Sequence, residues 1–222
     1  MAIIIPPELT EILDRIRTLR SKMYRIRVGT MDPDRRYLLM ALRKLKSPSE
    51  LEQTLIDTIT NEEIKFNESN NAQAAACKKE CGELYEKVRQ ICKVLLLGKY
   101  VHHTTDNYLQ YMRVTKVSMA PGDNGPTVRI SGDSINFRRD TGLFHSMEPL
   151  EFPIVWCGTE GIPGSAHALL NLSIVSEQNI LDSVNWYKTI MVSKCDSIIQ
   201  YTSKLKDIPI PPDEPVDTSK WW

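Results

Sequence analysis

Two cysteines and two histidines are of residue types that could bind a metal ion. Cys77 and Cys81 stand four residues apart, and His102-His103 follow further along the chain. Zinc accepts cysteine and histidine ligands, and four of them close a tetrahedral site. Both cysteines, however, fall on apolar positions of a helical repeat, where packing favours a small and weakly polar side chain. We therefore predict no metal site and no cofactor here.

A glycine-rich segment at residues 158–167 holds a second set of reactive groups, Ser165 and His167. It lacks the Gly-x-Ser-x-Gly pattern of a nucleophile elbow and the Lys-Ser/Thr ending of a phosphate-binding loop. A serine and a histidine two residues apart do not make a catalytic pair without a third, orienting group. The segment is typical of a loop between two strands. We predict no catalytic residue, a non-enzymatic protein and no identifiable small-molecule substrate.

Arginine is concentrated near the start of the sequence. Residues 1–46 contain eleven Lys and Arg against five Asp and Glu, a local charge of +6. A planar guanidinium suits phosphate, so an exposed basic face would suit nucleic acid. The alternative is that these arginines flank packed helices and pair with acids, of which residues 47–68 supply six. The candidate nucleic-acid-binding residues are Arg17, Arg20, Arg27, Arg35 and Arg36.

The segment from Asp207 onward is rich in proline and acid and includes the pair Trp221-Trp222. Four prolines between residues 208 and 215 exclude a helix and favour an extended tail. Adjacent tryptophans are typical anchors of a peptide that docks in a groove. We expect Trp221 and Trp222 to dock either on a partner or on the protein's own body.

The overall composition limits the class of protein. Lys plus Arg equals Asp plus Glu at 28 each, and 41% of the 222 residues are hydrophobic, which excludes a disordered chain. No apolar run reaches the roughly 18 to 20 residues of a membrane helix, and the first residues do not form a signal peptide. Five cysteines without a close-set framework favour reduced thiols. We expect an intracellular protein that is cytoplasmic, with a nuclear setting or the interior of a virus-like particle as alternatives, and no membrane insertion.

Three runs of apolar residues repeat at spacings of three and four, which is typical of helices that pack along a seam. They cover residues 5–26, 74–95 and 180–205. Pro6-Pro7 suit the first turn of the first helix. The seam positions that we expect to drive assembly are Ile12, Ile16, Leu19, Met23, Ile26, Leu84, Val88 and Ile91.

Two shorter features lie between the first two runs. Residues 34–46 predict a helix with Leu38, Leu42 and Leu45 on one face. A further helix is expected to start at Ser47, where Glu50 would complete a capping box. The polar residues 61–73 predict a loop or the poorly packed end of a helix.

The character of the sequence changes at about Arg113, where glycine, proline and β-branched residues become frequent. Residues 114–119 and 127–131 alternate with period two around a dense turn signal, which predicts a hairpin. Other strand candidates are residues 135–137, 152–157 and 169–175. We predict four regions: a helical region at 1–112, a small antiparallel β module at 113–176, a closing helix at 177–206 capped by Ser176, and an acidic tail at 207–222.

These patterns together predict an α+β fold with a helical half built as a bundle or coiled coil, a small antiparallel sheet, a long C-terminal helix and a short extended tail. The first function that we infer is structural or scaffolding: the chain assembles through its seams with itself or with other protein subunits, and a viral or particle component fits this description. The alternative is an accessory protein that binds nucleic acid with the arginine-rich helices. Salt separates the two hypotheses, because phosphate-driven binding weakens steeply with ionic strength.

Overall fold

The structure, a computed structural model, describes residues 3–29, 32–122, 125–141, 144–156, 169, 171–188, 195–213, 216 and 221, without the side chains of 27, 28, 156, 183–188 and 195–198. In this part the chain has the predicted α+β fold, with five helices and a curled antiparallel sheet of six strands. The helices are α1 (Pro7–Val28), α2 (Pro33–Leu42), α3 (Glu50–Leu96), α4 (Glu177–Lys188) and α5 (Cys195–Leu205). The strands are β1 (Tyr100–Thr104), β2 (Tyr108–Arg113), β3 (Lys116–Gly122), β4 (Gly125–Arg138), β5 (Phe144–Trp156) and β6 (Leu172–Val175).

The chain divides into two compact units. We call residues 16–81 the helical unit and residues 1–15 with 82–222 the sheet unit. The long helix α3 contributes residues to both. No helix in the described part of the chain is long and apolar enough to cross a membrane.

The helix starts follow from local capping. Asp32 caps α2 by accepting a hydrogen bond from the Asp34 amide at 3.1 Å, with Pro33 at the first position. At the start of α3, the Ser49 amide donates to Glu52 at 2.7 Å, and the Ser49 hydroxyl faces the Glu52 amide at 3.4 Å. The capping box is therefore two residues later than the predicted one at Ser47, because the Ser-x-x-Glu pattern occurs twice in succession and spacing does not choose between the copies.

Helix α3 runs unbroken through the polar residues 61–73, where the sequence predicted a loop or a poorly packed helix end. No proline interrupts residues 50–96, so every amide of that stretch can join the helical ladder. Nearly all side chains from 61 to 73 are exposed. The helix persists because its residues tolerate helical geometry, even though few of them pack.

The sheet is organised around β4. Strand β5 pairs along one side of β4 from Thr127 to Phe137, while β3 and then β2 pair along the other side, followed by β1 and β6. Register shifts between Val128 and Arg129 and between Asn136 and Phe137 are the bulges that bend such a strand. Gly132 lies between the part of β4 that pairs with β3 and the part that pairs with β2. A Cβ at this position would come within 1.9 Å of the Arg113 carbonyl oxygen.

The sheet begins earlier than the predicted β module, because β1 and β2 both precede Arg113. Their hairpin turns at residues 105–107, where the Tyr108 amide donates to the Thr105 hydroxyl at 3.0 Å. Aromatic and β-branched residues flank this turn, but two adjacent histidines mask the alternation.

Two helices occupy the place of the predicted closing helix. Ser176 caps α4 as expected, with its hydroxyl accepting from the Asn179 amide at 3.1 Å. Helix α5 covers Cys195–Leu205 of the predicted range, and residues 189–194 between α4 and α5 lie outside the described part. Ile180 of α4 and Leu205 of α5 pack with Ile135 and Phe137 of β4 in one buried cluster.

Candidate protein-binding surfaces

The first predicted seam is buried over its early part only. Ile12, Ile16 and Leu19 are buried, whereas Met23 and Ile26 are half-buried. Burial thus decreases along α1 toward Gly29. The last two seam positions keep apolar surface in contact with solvent.

The second seam matches the prediction at Cys77, Cys81 and Val88 and lies one position away elsewhere. Val88 is buried as expected, but Leu84 and Ile91 are half-buried. The buried apolar side chains of α3 in this stretch are Cys77, Cys81, Tyr85, Val88, Cys92 and Leu96, and the Arg89 side chain is buried beside them. This set repeats after eleven residues, close to the natural 3.6-residue turn, so a nearly straight helix keeps one face buried where a heptad would drift around it.

The helical unit exposes many large apolar side chains. Nine of the twelve that are exposed in the described part of the chain lie between residues 16 and 81. Leu51, on the first turn of α3, is 80% exposed. The other eight are Tyr24, Tyr37, Leu38, Met40, Leu45, Leu55, Ile64 and Phe66. Large exposed apolar patches are typical of interaction sites, which makes the helical unit the candidate surface.

Helix α2 ends at Leu42, four residues before the predicted end at residue 46, so Leu45 of the predicted apolar face lies beyond it and is exposed. On the helix itself Leu38 is exposed and Leu42 is half-buried, while the neighbouring Leu39 is buried. The helix therefore packs through a side that the spacing did not select.

The arginines of the basic region differ in their surroundings. The Arg35 guanidinium forms an ion pair with Glu62 of α3, so one of the five candidates pairs with the acidic segment as the alternative interpretation expects. Arg17 and Arg36 are exposed and Arg20 is half-buried; the Arg27 side chain lies outside the described part. Arg43 similarly donates to the Thr60 hydroxyl at 3.0 Å.

A second candidate surface surrounds Arg89, whose side chain is only 3% exposed. Its guanidinium donates to both carboxylate oxygens of Glu86, at 2.9 and 2.6 Å, and to both carboxylate oxygens of Asp213. Lys93, one helical turn further along α3, lies 2.9 Å from Asp213. The bond from Arg89, followed by that from Lys93, holds the pKa of Asp213 well below its usual range. The bond from Arg89 also lowers the pKa of Glu86.

Arg113 fixes the beginning of the same tail. Its guanidinium donates to the carbonyl oxygens of Leu205 at 2.9 Å and Ile208 at 2.7 Å. A small cavity of about 110 Å³ lies beside Arg89, lined on one side by residues 115–119 and on the other by Pro211, Pro212 and Asp213. The first half of the tail is therefore seated on the sheet unit. Trp221 is half-buried, and Trp222 lies outside the described residues.

The residues weighed for chemistry sit in ordinary surroundings where they are described. His102 and His103 stack on Tyr111 and Phe152, each with ring centroids 4.7 Å apart. Burial, then the neighbouring His103, lowers the pKa of His102. Among the described residues, no group of three or more His, Cys, Asp and Glu side chains is placed to hold a metal ion. Ser165 and His167 lie outside the described part.

Among the described side chains, Cys77, Cys81 and Cys92 are buried thiols that form no disulfide. Burial raises the pKa of the Cys92 thiol to about 12, which keeps it protonated and unreactive at neutral pH. The two cysteines that were weighed as zinc ligands are packed inside the protein. This agrees with the packing role that their spacing indicates.

No family model, no curated protein and no solved structure matches this chain.

Sequence reasoning missed the tail contacts. Arg89 lies next to Val88 on the apolar face of α3. A charged residue at such a position predicts a partner of opposite charge, because a buried cation without one is costly. Asp213 carries no comparable signal, because an acid in a proline-rich tail is ordinary. Only the fold brings the two together.

Proposed function

We propose that this protein has a non-enzymatic, structural role and that it assembles with other protein subunits through its helical unit. The observation that carries the proposal is the concentration of exposed large apolar side chains between residues 16 and 81. Burial of a leucine side chain contributes about 1.5 to 3 kcal/mol, so several of them supply enough free energy to hold subunits together. The half-buried Met23 and Ile26 at the end of α1 would add to such an interface.

The charges of the helical unit fit a second copy of the same chain as the partner. Residues 16–46 are strongly basic, and residues 47–68 carry six acids against Lys65. A surface with both signs is complementary to itself when two copies pair about a twofold axis. A particle or capsid component is one kind of assembly that this arrangement suits.

Sedimentation velocity of the full chain over a hundredfold range of concentration tests this proposal. We expect association that Leu51→Gln weakens by about tenfold or more, because 1.4 kcal/mol corresponds to a factor of ten. Val94→Gln is the matched control, since Val94 is 83% exposed on the same helix but lies in the sheet unit. A monomer at every concentration, or equal effects of the two substitutions, would overturn the proposal.

Nucleic-acid binding by the arginine-rich helices is the second candidate function. The exposure of Arg17 and Arg36 supports it, while the ion pair between Arg35 and Glu62 weakens it. Sedimentation with duplex DNA at about 50 and 200 mM salt distinguishes the two, because a phosphate-driven complex loses several orders of magnitude in affinity over that range. Assembly that is equal with and without DNA at both salt concentrations would exclude this function.

A further inference from the structure

The tail of the sheet unit occupies a surface that has the properties of a peptide-binding site. We call this surface the tail groove; it consists of Arg89 and Lys93 of α3 and residues 115–119 around the start of β3. Its occupant is the segment 208–213, whose residues from 209 onward belong to neither helix nor strand. In this groove the Asp213 carboxylate lies between Arg89 and Lys93, and Pro211 and Pro212 line the cavity. The Ile208 carbonyl oxygen accepts a hydrogen bond from Arg113.

The buried charge of Arg89 favours occupation of the groove by a carboxylate. Glu86 is one carboxylate partner of this guanidinium, and the carbonyl oxygen of Val117 faces it at 3.4 Å. Without Asp213, the cations Arg89, Lys93 and Lys116 would line the cavity against the single carboxylate of Glu86. Excess positive charge beside a buried guanidinium is destabilising, so the groove favours a segment that carries a second carboxylate.

The bidentate contact also sets the geometry of the ligand. A guanidinium that donates to both carboxylate oxygens fixes the orientation of the acid, and prolines on its N-terminal side keep the backbone extended without needing amide partners. The groove thus recognises an extended, proline-containing segment with an acid at its C-terminal side. The sequence Ile-Pro-Ile-Pro-Pro-Asp at 208–213 has this chemistry.

We infer that the tail groove is an intermolecular docking site, and that its partner is the 208–213 segment of a second copy, which exchanges with the segment of the same chain. A second copy reproduces every contact in the tail groove, because both the groove and the ligand are identical in it. Asp213 remains 37% exposed, so water can reach the ion pair while the segment leaves. The inference goes beyond the proposed function, since the groove lies in the sheet unit and uses none of the apolar side chains of residues 16–81.

A complementation experiment with two full-length variants tests the exchange. Asp213→Lys removes the ligand and keeps the groove, whereas Lys93→Glu impairs the groove and keeps the ligand. Both residues are partly exposed, so the substitutions should spare the fold, which circular dichroism checks. Both variants also carry Leu51→Gln to weaken association through the helical unit, and the readout is the difference between the mixture and each variant alone, which that association does not produce.

Sedimentation of each variant and of their equal mixture gives the readout, at concentrations up to about 0.5 mM, which approaches the effective concentration of a short tether. We expect each variant alone to keep the mass of one chain, 25.4 kDa, and the mixture to shift toward twice that value. A labelled peptide with the sequence of residues 206–216 should bind the Asp213→Lys variant and bind Lys93→Glu at least tenfold more weakly. A mixture that sediments like its components, together with no peptide binding, would overturn the inference.

Discussion

Removal of the Asp213 carboxylate tests the reasoning about the buried Arg89 charge. We take Asp213→Ala as the perturbation. The Arg89 guanidinium then loses one of its two bidentate carboxylate partners but keeps Glu86, while the Lys93 ammonium loses the carboxylate that lies 2.9 Å away. The rest of the tail keeps the two hydrogen bonds from Arg113.

The expected loss lies between the values for exposed and buried ion pairs. Breaking a fully buried pair costs about 3 to 5 kcal/mol, and an exposed pair contributes about 0 to 1 kcal/mol. Arg89 is 3% exposed but Asp213 is 37% exposed, and Glu86 continues to neutralise the cation. We therefore expect Asp213→Ala to lower the free energy of unfolding by about 1 to 2 kcal/mol.

Equilibrium urea unfolding, followed by circular dichroism and by tryptophan fluorescence, measures this loss. The two probes are compared because a chain with two compact units can unfold in more than one step. Asp140→Ala is the matched control: its ion pair with Arg138 has side chains 56% and 61% exposed, so we expect a clearly smaller loss than for Asp213→Ala. Equal losses for the two variants would refute the role of the buried guanidinium.

The same contact has a pH dependence with a definite sign. The bonds from Arg89 and then from Lys93 keep the pKa of Asp213 in the folded protein below its value in the unfolded chain. A carboxyl whose pKa is depressed on folding stabilises above the unfolded value and loses that contribution as the pH falls toward the folded value. The difference in unfolding free energy between wild type and Asp213→Ala should be constant from about pH 6 to 8 and decrease below about pH 4.

Two further predictions concern the core and the sheet. Cys92, buried with its pKa raised to about 12, should react with a thiol reagent only after unfolding, and peptide mapping that finds it labelled in the native protein would contradict its placement. Gly132→Ala should lower the free energy of unfolding by about 2 to 3 kcal/mol, because its Cβ would meet the Arg113 carbonyl oxygen at 1.9 Å; a thermal melt equal to that of wild type would show that β2 and β4 are not so close.

The elements with strong periodicity could be predicted from the sequence. The start of α1, the cap at Ser176 and the hairpin of β3 and β4 depend on local chemistry, so residue types within a few positions determine them. On α3 the sequence predicts burial of Leu84 and Ile91, whereas the next residues, Tyr85 and Cys92, are the buried ones. Spacings of three and four fit a heptad and an eleven-residue repeat equally well over a short stretch.

The features that the sequence did not reveal are long-range. The contact between Arg89 and Asp213 joins residues 124 positions apart, and no local pattern encodes it. Which apolar faces remain exposed is also a tertiary property: the spacing of Leu38, Leu42 and Leu45 predicts a packed face, yet Leu39 is the buried residue of α2. Burial is decided by the neighbours that the fold supplies.

The most direct test of assembly through the helical unit is sedimentation velocity of wild type, Leu51→Gln and Val94→Gln at matched concentrations. Leu51 is 80% exposed in the helical unit and Val94 is 83% exposed in the sheet unit, so the two substitutions remove similar exposed surface from different units. We predict that wild type and Val94→Gln associate equally and that Leu51→Gln dissociates at about tenfold higher concentration. Identical profiles for all three proteins, or dissociation of the Val94 variant alone, would contradict it.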